Sequence, residues 1–263
     1  MTRAREALRD AERRLERAGV DSPRVDAELL VAHVVGVSRT GLYADPERDV
    51  DADALERLLV RRESREPLAY VLGEWGFRRL TLRTDGRALV PRPETEIVVE
   101  RALALVRDLP TPRVLDVGTG SGAIALAVAD EHPGALVTAV DSSAAALELA
   151  RENAERLGFD IELREAGIEA AADGWDLVVS NPPYVESLLG LQPELAHEPP
   201  HALLGGTAFH RELARIAQAA WLVLEVGDGQ AEEVAGRLRD EGYEILRITN
   251  DLGGMPRVVE GRR

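Results

Sequence analysis

The 263-residue sequence contains no cysteine and no lysine, and only 4% of its residues are aromatic. The absence of cysteine excludes disulfide bonds, thiolate catalysis and cysteine-ligated zinc. No run approaches about 18 consecutive apolar residues, so no membrane-spanning helix is expected. The first residues, MTRAREALRDAERRLERAG, lack the apolar core of a signal peptide, and we therefore expect a cytoplasmic protein.

The chain is strongly acidic, with a formal net charge of -15. A protein that grips DNA or RNA by the phosphates needs a basic face, so we expect no direct nucleic-acid binding. The five histidines show no metal-ligand spacing, and no metal site is expected. The content of 45% hydrophobic and 30% charged residues indicates a globular protein of one large domain or a domain with a smaller companion.

The first 70 or so residues predict a small helical bundle. AREALRDAERRLERAG places an apolar stripe on one helical face and ends at Gly19. A second helix starts after Ser22 and ends near Gly36, and a third, DADALERLLVRRESRE, stops before Pro67. Each has one apolar face, so we predict a helical domain over residues 1–74 that packs these faces together.

The next stretch, residues 75–91, has a different pattern. WGFRRLTLRTDGRALVP alternates between apolar and polar residues and contains Asp85-Gly86, a frequent hairpin turn. The pattern predicts a β-hairpin linker between two domains.

From residue 92 to residue 263, strand and helix patterns alternate. The predicted strands are RVLDVG, LVTAVD, IELRE, WDLVVSN and WLVLEVG, and helical runs separate them. Such alternation is typical of a mostly parallel sheet covered by helices on both faces. The final YEILRITNDLGGMPRVVEGR predicts an antiparallel hairpin at the sheet edge. The expected class is therefore α/β, with a Rossmann-like sheet and an N-terminal helical bundle.

A glycine loop follows the first of these strands. Gly118, Gly120 and Gly122 permit positive φ and let a ligand approach the backbone, and the helix that follows offers free N–H groups. Asp141 ends the next strand and is suited to accept hydrogen bonds from ribose hydroxyls. These features alone fit NAD and S-adenosylmethionine equally well.

The sequence SNPPY ends the fourth predicted strand, which is expected to lie next to the first. Ligands of open α/β sheets bind at the carboxyl ends of such strands, so Asn181 should face the ligand held by the glycine loop. The side-chain oxygen of Asn181 and the carbonyl of Pro182 are two acceptors, which match the two hydrogens of an adenine amine or a glutamine carboxamide. Tyr184 can lie flat against such a planar group. Hydride transfer has no need of this arrangement, so the segment favours S-adenosylmethionine.

These motifs resemble those of a known family. RVLDVGTGSGAIALAVA and DLVVSNPPYV resemble the class I methyltransferases that modify NH2 nitrogens. REPLAYVLGEWGF, ALVPRPETEIVVERAL, LQPELAHEPPHALLGG and DLGGMPRVVEGR are similar to the bacterial peptide chain release factor N5-glutamine methyltransferases, and the likeness covers nearly the whole chain.

The resemblance implies a substrate and a set of site residues. The substrate would be the glutamine of the Gly-Gly-Gln motif of class I release factors, the helical domain would help to dock it, and we expect a monomer. The implied catalytic residues are Asn181, Pro182 and Tyr184. The implied cofactor-binding residues are Asp116, Gly118, Thr119, Gly120, Ser121, Gly122, Asp141, Ile168 and Asn181. The implied substrate-binding residues are Asn181, Pro182, Pro183, Tyr184, Arg92 and Glu94.

The sequence departs from the family pattern at two places. Gly167-Ile168 stands where the family has an acidic residue and an aromatic one, and the region 205–226 is shortened. Two other hypotheses remain open at this point. The chain could be a nucleic-acid adenine N6-methyltransferase, which would share the NH2 site, or a weakly active module that binds release factors or ribosomes.

Overall fold

The computed structural model describes residues 2–187 and 190–263, which divide into two compact units. The first unit contains the described residues up to Glu74 together with Gln192–His197, and the second contains Trp75–Leu191 and Glu198–Arg263. No helix among the described residues is long and apolar enough to cross a lipid bilayer.

The first unit is a helical bundle with one small antiparallel sheet. Its elements are β1 Thr2–Arg3, α1 Ala4–Arg17, α2 Pro23–Val35, α3 Arg39–Ala44, β2 Asp49–Val50, α4 Ala52–Glu63, α5 Leu68–Leu72 and a 3-10 helix Pro193–His197. Apolar faces of α1, α2 and α4 form one buried core, in which Leu15, Leu30 and Leu59 are almost fully inaccessible. The three predicted helices are present, and α3 and α5 are short additions that the sequence pattern did not indicate.

Residues 192–197 join this unit through ion pairs. The Glu194 carboxylate accepts hydrogen bonds from Arg62 (2.9 Å) and from two nitrogens of Arg65 (2.7 and 2.8 Å). Arg62 also donates to Asp26 over 2.7 Å, and both side chains of that pair are largely buried. Removal of one partner from a buried pair costs about 3–5 kcal/mol because the other charge remains uncompensated.

The second unit is built around a seven-stranded sheet. Its elements are β3 Glu74–Phe77, β4 Leu80–Arg83, α6 Thr95–Val106, β5 Arg113–Val117, α7 Ala123–Glu131, β6 Leu136–Asp141, α8 Ala144–Leu157, β7 Glu162–Glu165, a 3-10 helix Ile168–Asp173, β8 Trp175–Ser180, α9 Pro200–Leu203, α10 Ala208–Ile216, β9 Ala219–Glu225, α11 Ala231–Asp240, β10 Ile245–Asn250 and β11 Pro256–Arg262. The strand order is β10-β11-β9-β8-β5-β6-β7. The β10–β11 and β11–β9 pairs are antiparallel, and the four other pairs are parallel.

The apolar strands explain why helices cover both faces of this sheet. Successive side chains of a strand point to opposite faces, so Val114 of β5 joins one buried cluster with α6 and α7. Leu115 and Val117 join the other cluster, with α10 and α11. Burial of both faces is characteristic of parallel sheets, and the predicted α/β class with an antiparallel C-terminal edge is confirmed.

One turn prediction was wrong. The hairpin of β3 and β4 turns at Arg78 and Arg79, whereas Asp85-Gly86 lies beyond β4. The Asp85 carboxylate accepts the backbone N–H of Arg87 (3.1 Å) and its guanidinium (2.9 Å). Such a local bond to the residue two positions ahead closes a turn without any strand pairing.

The strand order creates a crevice at one edge of the sheet. The chain leaves β5 for β6 and β7 on one side and then crosses to β8 on the other side of β5. The loops at the carboxyl ends of β5 and β8 therefore diverge, and ligands of open α/β sheets bind at such a switch point.

Candidate active site

A cavity lies at this switch point, within the second unit. Its walls come from the carboxyl ends of β5, β6 and β8 and from the segment before α6. The lining residues are Arg87, Ala88, Leu89, Val90, Pro91, Thr95, Val117, Gly118, Thr119, Gly120, Ser121, Ala123, Ile124, Asp141, Ser142, Ala146, Ala166, Gly167, Ile168, Asn181, Pro182, Pro183, His201, Ala202 and Phe209. The sequence pattern predicts the segment 87–91 only as a linker and does not indicate its contribution to this wall.

The glycine loop between β5 and α7 is fixed by backbone bonds to the neighbouring strand. The N–H groups of Gly118 and Thr119 both donate to the carbonyl of Val140, over 2.9 and 3.0 Å. Gly118 has a φ of 75°, which a residue with a side chain rarely adopts, and a Cβ there would meet no atom within 4 Å. The loop therefore presents bare backbone to the cavity.

Asp116 lies beneath the loop and is fully buried. Its carboxylate accepts the hydroxyl of Thr119 (2.7 Å) and the backbone N–H of Ala125 (3.2 Å), so it ties the loop to the start of α7. Burial raises the pKa of Asp116 to about 7, although these hydrogen bonds oppose the shift. Asp116 is not among the lining residues, and its predicted contact with the cofactor stays a prediction.

Asp141 ends β6 and lines the cavity. One of its carboxylate oxygens accepts the N–H of Gly120 (3.0 Å), and the other accepts the N–H of Ser143 (2.9 Å). Each carboxylate oxygen can accept more than one hydrogen bond, so the orientation is fixed while acceptor capacity remains. Ile168, at the start of its 3-10 helix, and Phe209 supply apolar wall in the same cavity.

Asn181 follows β8 and enters the cavity wall together with Pro182 and Pro183. Its Nδ2 donates to Thr95 Oγ1 over 3.1 Å. Its Oδ1 is buried and has no hydrogen-bond partner among the described residues. A buried acceptor without a partner is costly, by about 1–3 kcal/mol, and native proteins usually satisfy such groups. Asn181 itself lines the cavity, so a bound ligand is a candidate partner for this oxygen.

Two residues behind Asn181 were missed by the sequence analysis. Thr95 Oγ1 donates to Glu225 Oε2 over 2.6 Å, and the Tyr184 hydroxyl donates to Glu225 Oε1 over 3.3 Å. Thr95 and Glu225 are both buried, and Glu225 closes β9, the strand beside β8. The rule that directed attention to Asn181, namely a polar residue at the carboxyl end of a parallel strand, also applies to Glu225.

Burial governs the protonation of the Glu225 carboxyl group. It raises the pKa of Glu225 to about 7, while the hydrogen bond from Thr95 and the positive charge of Arg257 oppose the shift. Burial and the negative charge of Glu225 raise the pKa of Tyr184, so the phenol remains protonated and acts as a donor.

The remaining predicted substrate residues line a second cavity. Tyr184, Arg92 and Glu94 lie in its wall with Gly227 and Arg257, and Tyr184 is not among the residues that line the first cavity. Arg92 is paired with the buried carboxylate of Glu198. The structure thus brings Asn181, Pro182 and Pro183 together in one cavity, and Tyr184, Arg92 and Glu94 in the other.

Backbone hydrogen bonds hold the segment after β8 against residues 203–205. Val185 N donates to the carbonyl of Leu203 (2.9 Å), and Gly205 N donates to the carbonyl of Val185 (3.0 Å). A Cβ on Gly205 would lie only 2.2 Å from the carbonyl oxygen of Pro183. This close approach requires glycine at position 205.

The first cavity fits S-adenosylmethionine by its chemistry. It combines a bare glycine loop, a carboxylate suited to ribose hydroxyls, apolar wall at Ile168 and Phe209, and the unsatisfied oxygen of Asn181. No group of three or more metal-ligating side chains is found in the described ranges 2–187 and 190–263.

Comparisons with known proteins identify the family. Residues 6–73 match the family model described as the PrmC N-terminal domain, and residues 99–199 match the methyltransferase small domain. The release factor glutamine methyltransferase of Deinococcus radiodurans is 42% identical, over 98% of each chain. The chain belongs to the release factor glutamine methyltransferase family. A release factor glutamine methyltransferase of Mycolicibacterium smegmatis is 41% identical, over 100% of this chain and 99% of the other.

This release factor glutamine methyltransferase shares its fold with a solved methyltransferase structure. The hMettl16 catalytic domain, solved in complex with the MAT2A 3'UTR hairpin 1, superposes with a TM-score of 0.55 at 15% identity, over 80% of this chain and 78% of that chain. Identity at this level shows a shared fold alone. The predictions of the family, the methyltransferase activity, the fold class and S-adenosylmethionine as methyl donor are confirmed.

Proposed function

We propose that this release factor glutamine methyltransferase modifies the side-chain nitrogen N5 of the glutamine in the Gly-Gly-Gln motif of class I release factors. The observation that carries the proposal is the buried Oδ1 of Asn181, which lacks a partner among the described residues and lines the cavity of the glycine loop. A primary amide has an N–H that can satisfy this oxygen and a second N–H for the carbonyl of Pro182.

The residues of the chain act mainly by position. When bound, S-adenosylmethionine supplies an electrophilic methyl group, which leaves its sulfonium for the amide nitrogen while the C–S electron pair stays on sulfur and one amide proton passes to solvent. Asp141, the glycine loop and Ile168 would hold this donor. Asn181 and Pro182 would hold both hydrogens of the amide and aim its nitrogen, and no strong base is needed for such a step.

The release factor itself would contact a wider surface. Arg92, Glu94 and Tyr184 line the second cavity and would take the residues that flank the glutamine. We assign docking of the remainder of the release factor to the helical unit, residues 1–74, with residues 75–91 as a linker to the catalytic part, residues 92–263. The proposal further includes a monomeric enzyme that does not bind nucleic acid, in keeping with the net charge of -15.

Replacement of Asn181 by Ala tests the proposal. With labelled S-adenosylmethionine and a purified release factor, we expect kcat to fall at least 100-fold, while the Kd for S-adenosylmethionine from calorimetry changes less than about threefold. A release factor whose Gly-Gly-Gln glutamine is changed to Ala should take no label from the wild-type enzyme.

Two results would contradict the assignment. Unchanged turnover of N181A would remove the role given to Asn181. Label in DNA or RNA, with none in the release factor, would instead support adenine methylation by the same NH2 site. Size-exclusion chromatography with light scattering tests the monomer.

A further inference from the structure

The side-chain amide of Asn181 can be placed in two ways that differ by a half turn. One directs Nδ2 to Thr95 and leaves Oδ1 available to a ligand, and the other directs Oδ1 to Thr95 and leaves Nδ2 available. Only the first can accept a hydrogen from a substrate NH2 group, because the NH2 end of the amide is a donor. A methyltransferase that acts on an amide nitrogen therefore needs a device that excludes the second placement.

A chain of hydrogen bonds behind Asn181 has a defined direction. An ionised carboxylate can only accept, so the single hydroxyl hydrogen of Thr95 must point to Glu225, over 2.6 Å. The Thr95 oxygen then has only lone pairs for Asn181, 3.1 Å away, and this position must be occupied by Nδ2. Oδ1 is then the end of the amide that remains as an acceptor, and it has no partner within the part of the chain that the structure describes.

The fold supplies this chain of bonds from three distant parts of the sequence. Thr95 opens α6, Asn181 follows β8 and Glu225 ends β9. The parallel register pairs Ser180 with Leu224, so the residues after them are neighbours at the same edge of the sheet. Burial of Thr95 and Glu225 excludes competing water and strengthens each bond.

We propose that Thr95 and Glu225 are positioning residues that hold the Asn181 amide with its oxygen towards the substrate. This inference rests on the proposed function, since it concerns how that site selects an NH2 group. Thr95 itself is within the cavity wall, but its role is exerted through Asn181.

The first test replaces Thr95 by Val, which has the same shape and no hydroxyl. We expect kcat for a release factor to fall about 10- to 100-fold, with KM and the Kd for S-adenosylmethionine within about threefold of wild type. T95S, which restores the hydroxyl, should return kcat to within about threefold of wild type. A kcat of T95V within twofold of wild type would overturn the inference.

A matched control removes a comparable bond elsewhere in the same sheet. Thr138 of β6 donates to Glu162 over 3.1 Å, is buried and does not line the cavity. T138V should leave kcat within about twofold of wild type. Equal losses in T95V and T138V would indicate a general effect on folding and would overturn the positioning role.

A second readout uses the protonation of Glu225, for the case in which T95V does not fold. Below its pKa of about 7 the carboxyl can donate as well as accept, so it no longer imposes the direction of the chain of bonds. The groups that face it are Arg257, Tyr184 and Glu94, and the ring of His210 donates to its peptide oxygen over 2.8 Å. Burial lowers the pKa of His210 below its usual 6.5, which favours the neutral ring.

Glu225→Gln has no proton to gain, and its carbonyl can accept from Thr95 at every pH. The ratio of kcat of E225Q to kcat of wild type should therefore rise at least threefold as the pH falls from 8 to 6. A constant ratio would contradict the inference. If the wild-type enzyme labels no glutamine, the proposed function fails, whereas labelling by wild type and T95V alike removes only the positioning role.

Discussion

The buried carboxylate of Glu225 should make the enzyme less stable as the pH rises. Its pKa is raised from 4.5 to about 7 in the folded protein, because burial disfavours the ionised form. The folded state therefore holds this proton more tightly than the unfolded chain does. The contribution of Glu225 to stability is complete below about pH 4.5 and is lost as the pH rises through 7.

The expected size follows from linkage. At about 1.4 kcal/mol per pKa unit, the cost of ionised Glu225 grows by about 2–3 kcal/mol between pH 5 and pH 8. In E225Q this cost is absent, because an amide does not titrate. The free energy of unfolding of E225Q minus that of wild type should therefore increase by about 2–3 kcal/mol over this range. The raised pKa of Asp116 affects both proteins equally, so its contribution cancels in the difference between their free energies of unfolding.

Urea denaturation followed by tryptophan fluorescence is the assay. Trp75, Trp175 and Trp221 are the three tryptophans, and all belong to the second unit, so the signal reports the unit that contains Glu225. E155Q, on the exposed surface of α8, controls for the change from carboxyl to amide. A difference between E225Q and wild type that changes by less than about 0.5 kcal/mol from pH 5 to pH 8 would refute the reasoning.

Two further predictions concern the first cavity. D141N places an NH2 group where Asp141 accepts the N–H of Gly120 or that of Ser143, and we expect the Kd for S-adenosylmethionine from calorimetry to rise at least tenfold. G205A forces the Pro183 carbonyl to move, because the added Cβ and the Pro183 carbonyl oxygen would be 2.2 Å apart. We therefore expect kcat to fall more than tenfold. G236A is the matched control: no atom lies within 4 Å of its added Cβ, so this helical site should gain about 0.5–1 kcal/mol of stability with unchanged kcat.

Local patterns predicted most of the sheet and of the cavity. Short apolar runs separated by helical patterns predicted the strands, and the order of motifs placed β8 beside β5, as the structure has it. The glycine loop, Asp141 and Asn181 meet at the switch point because the carboxyl ends of parallel strands share one edge.

Other features depend on contacts that no local pattern contains. The bond between Thr95 and Glu225 joins residues 130 positions apart, and it requires the register of two strands as well as the start of a helix. Tyr184 was expected beside Asn181, but it lines a different cavity from Asn181. The predicted position of the first hairpin turn was wrong because the turn at Asp85-Gly86 is closed by the Asp85 side chain, which accepts the N–H of Arg87, and not by strand pairing.

The membership of Gln192–His197 in the helical unit has a consequence for dissection of the enzyme. The polypeptide passes from one compact body to the other three times, after residues 74, 191 and 197. A single cut near residue 74 would yield a catalytic fragment that still carries Glu194 but lacks the two arginines that neutralise it. If the chain were cut at residue 74 and expressed as two polypeptides, residues 192–197 would stay with the catalytic part. The helical unit would then lack this segment unless a second copy were supplied.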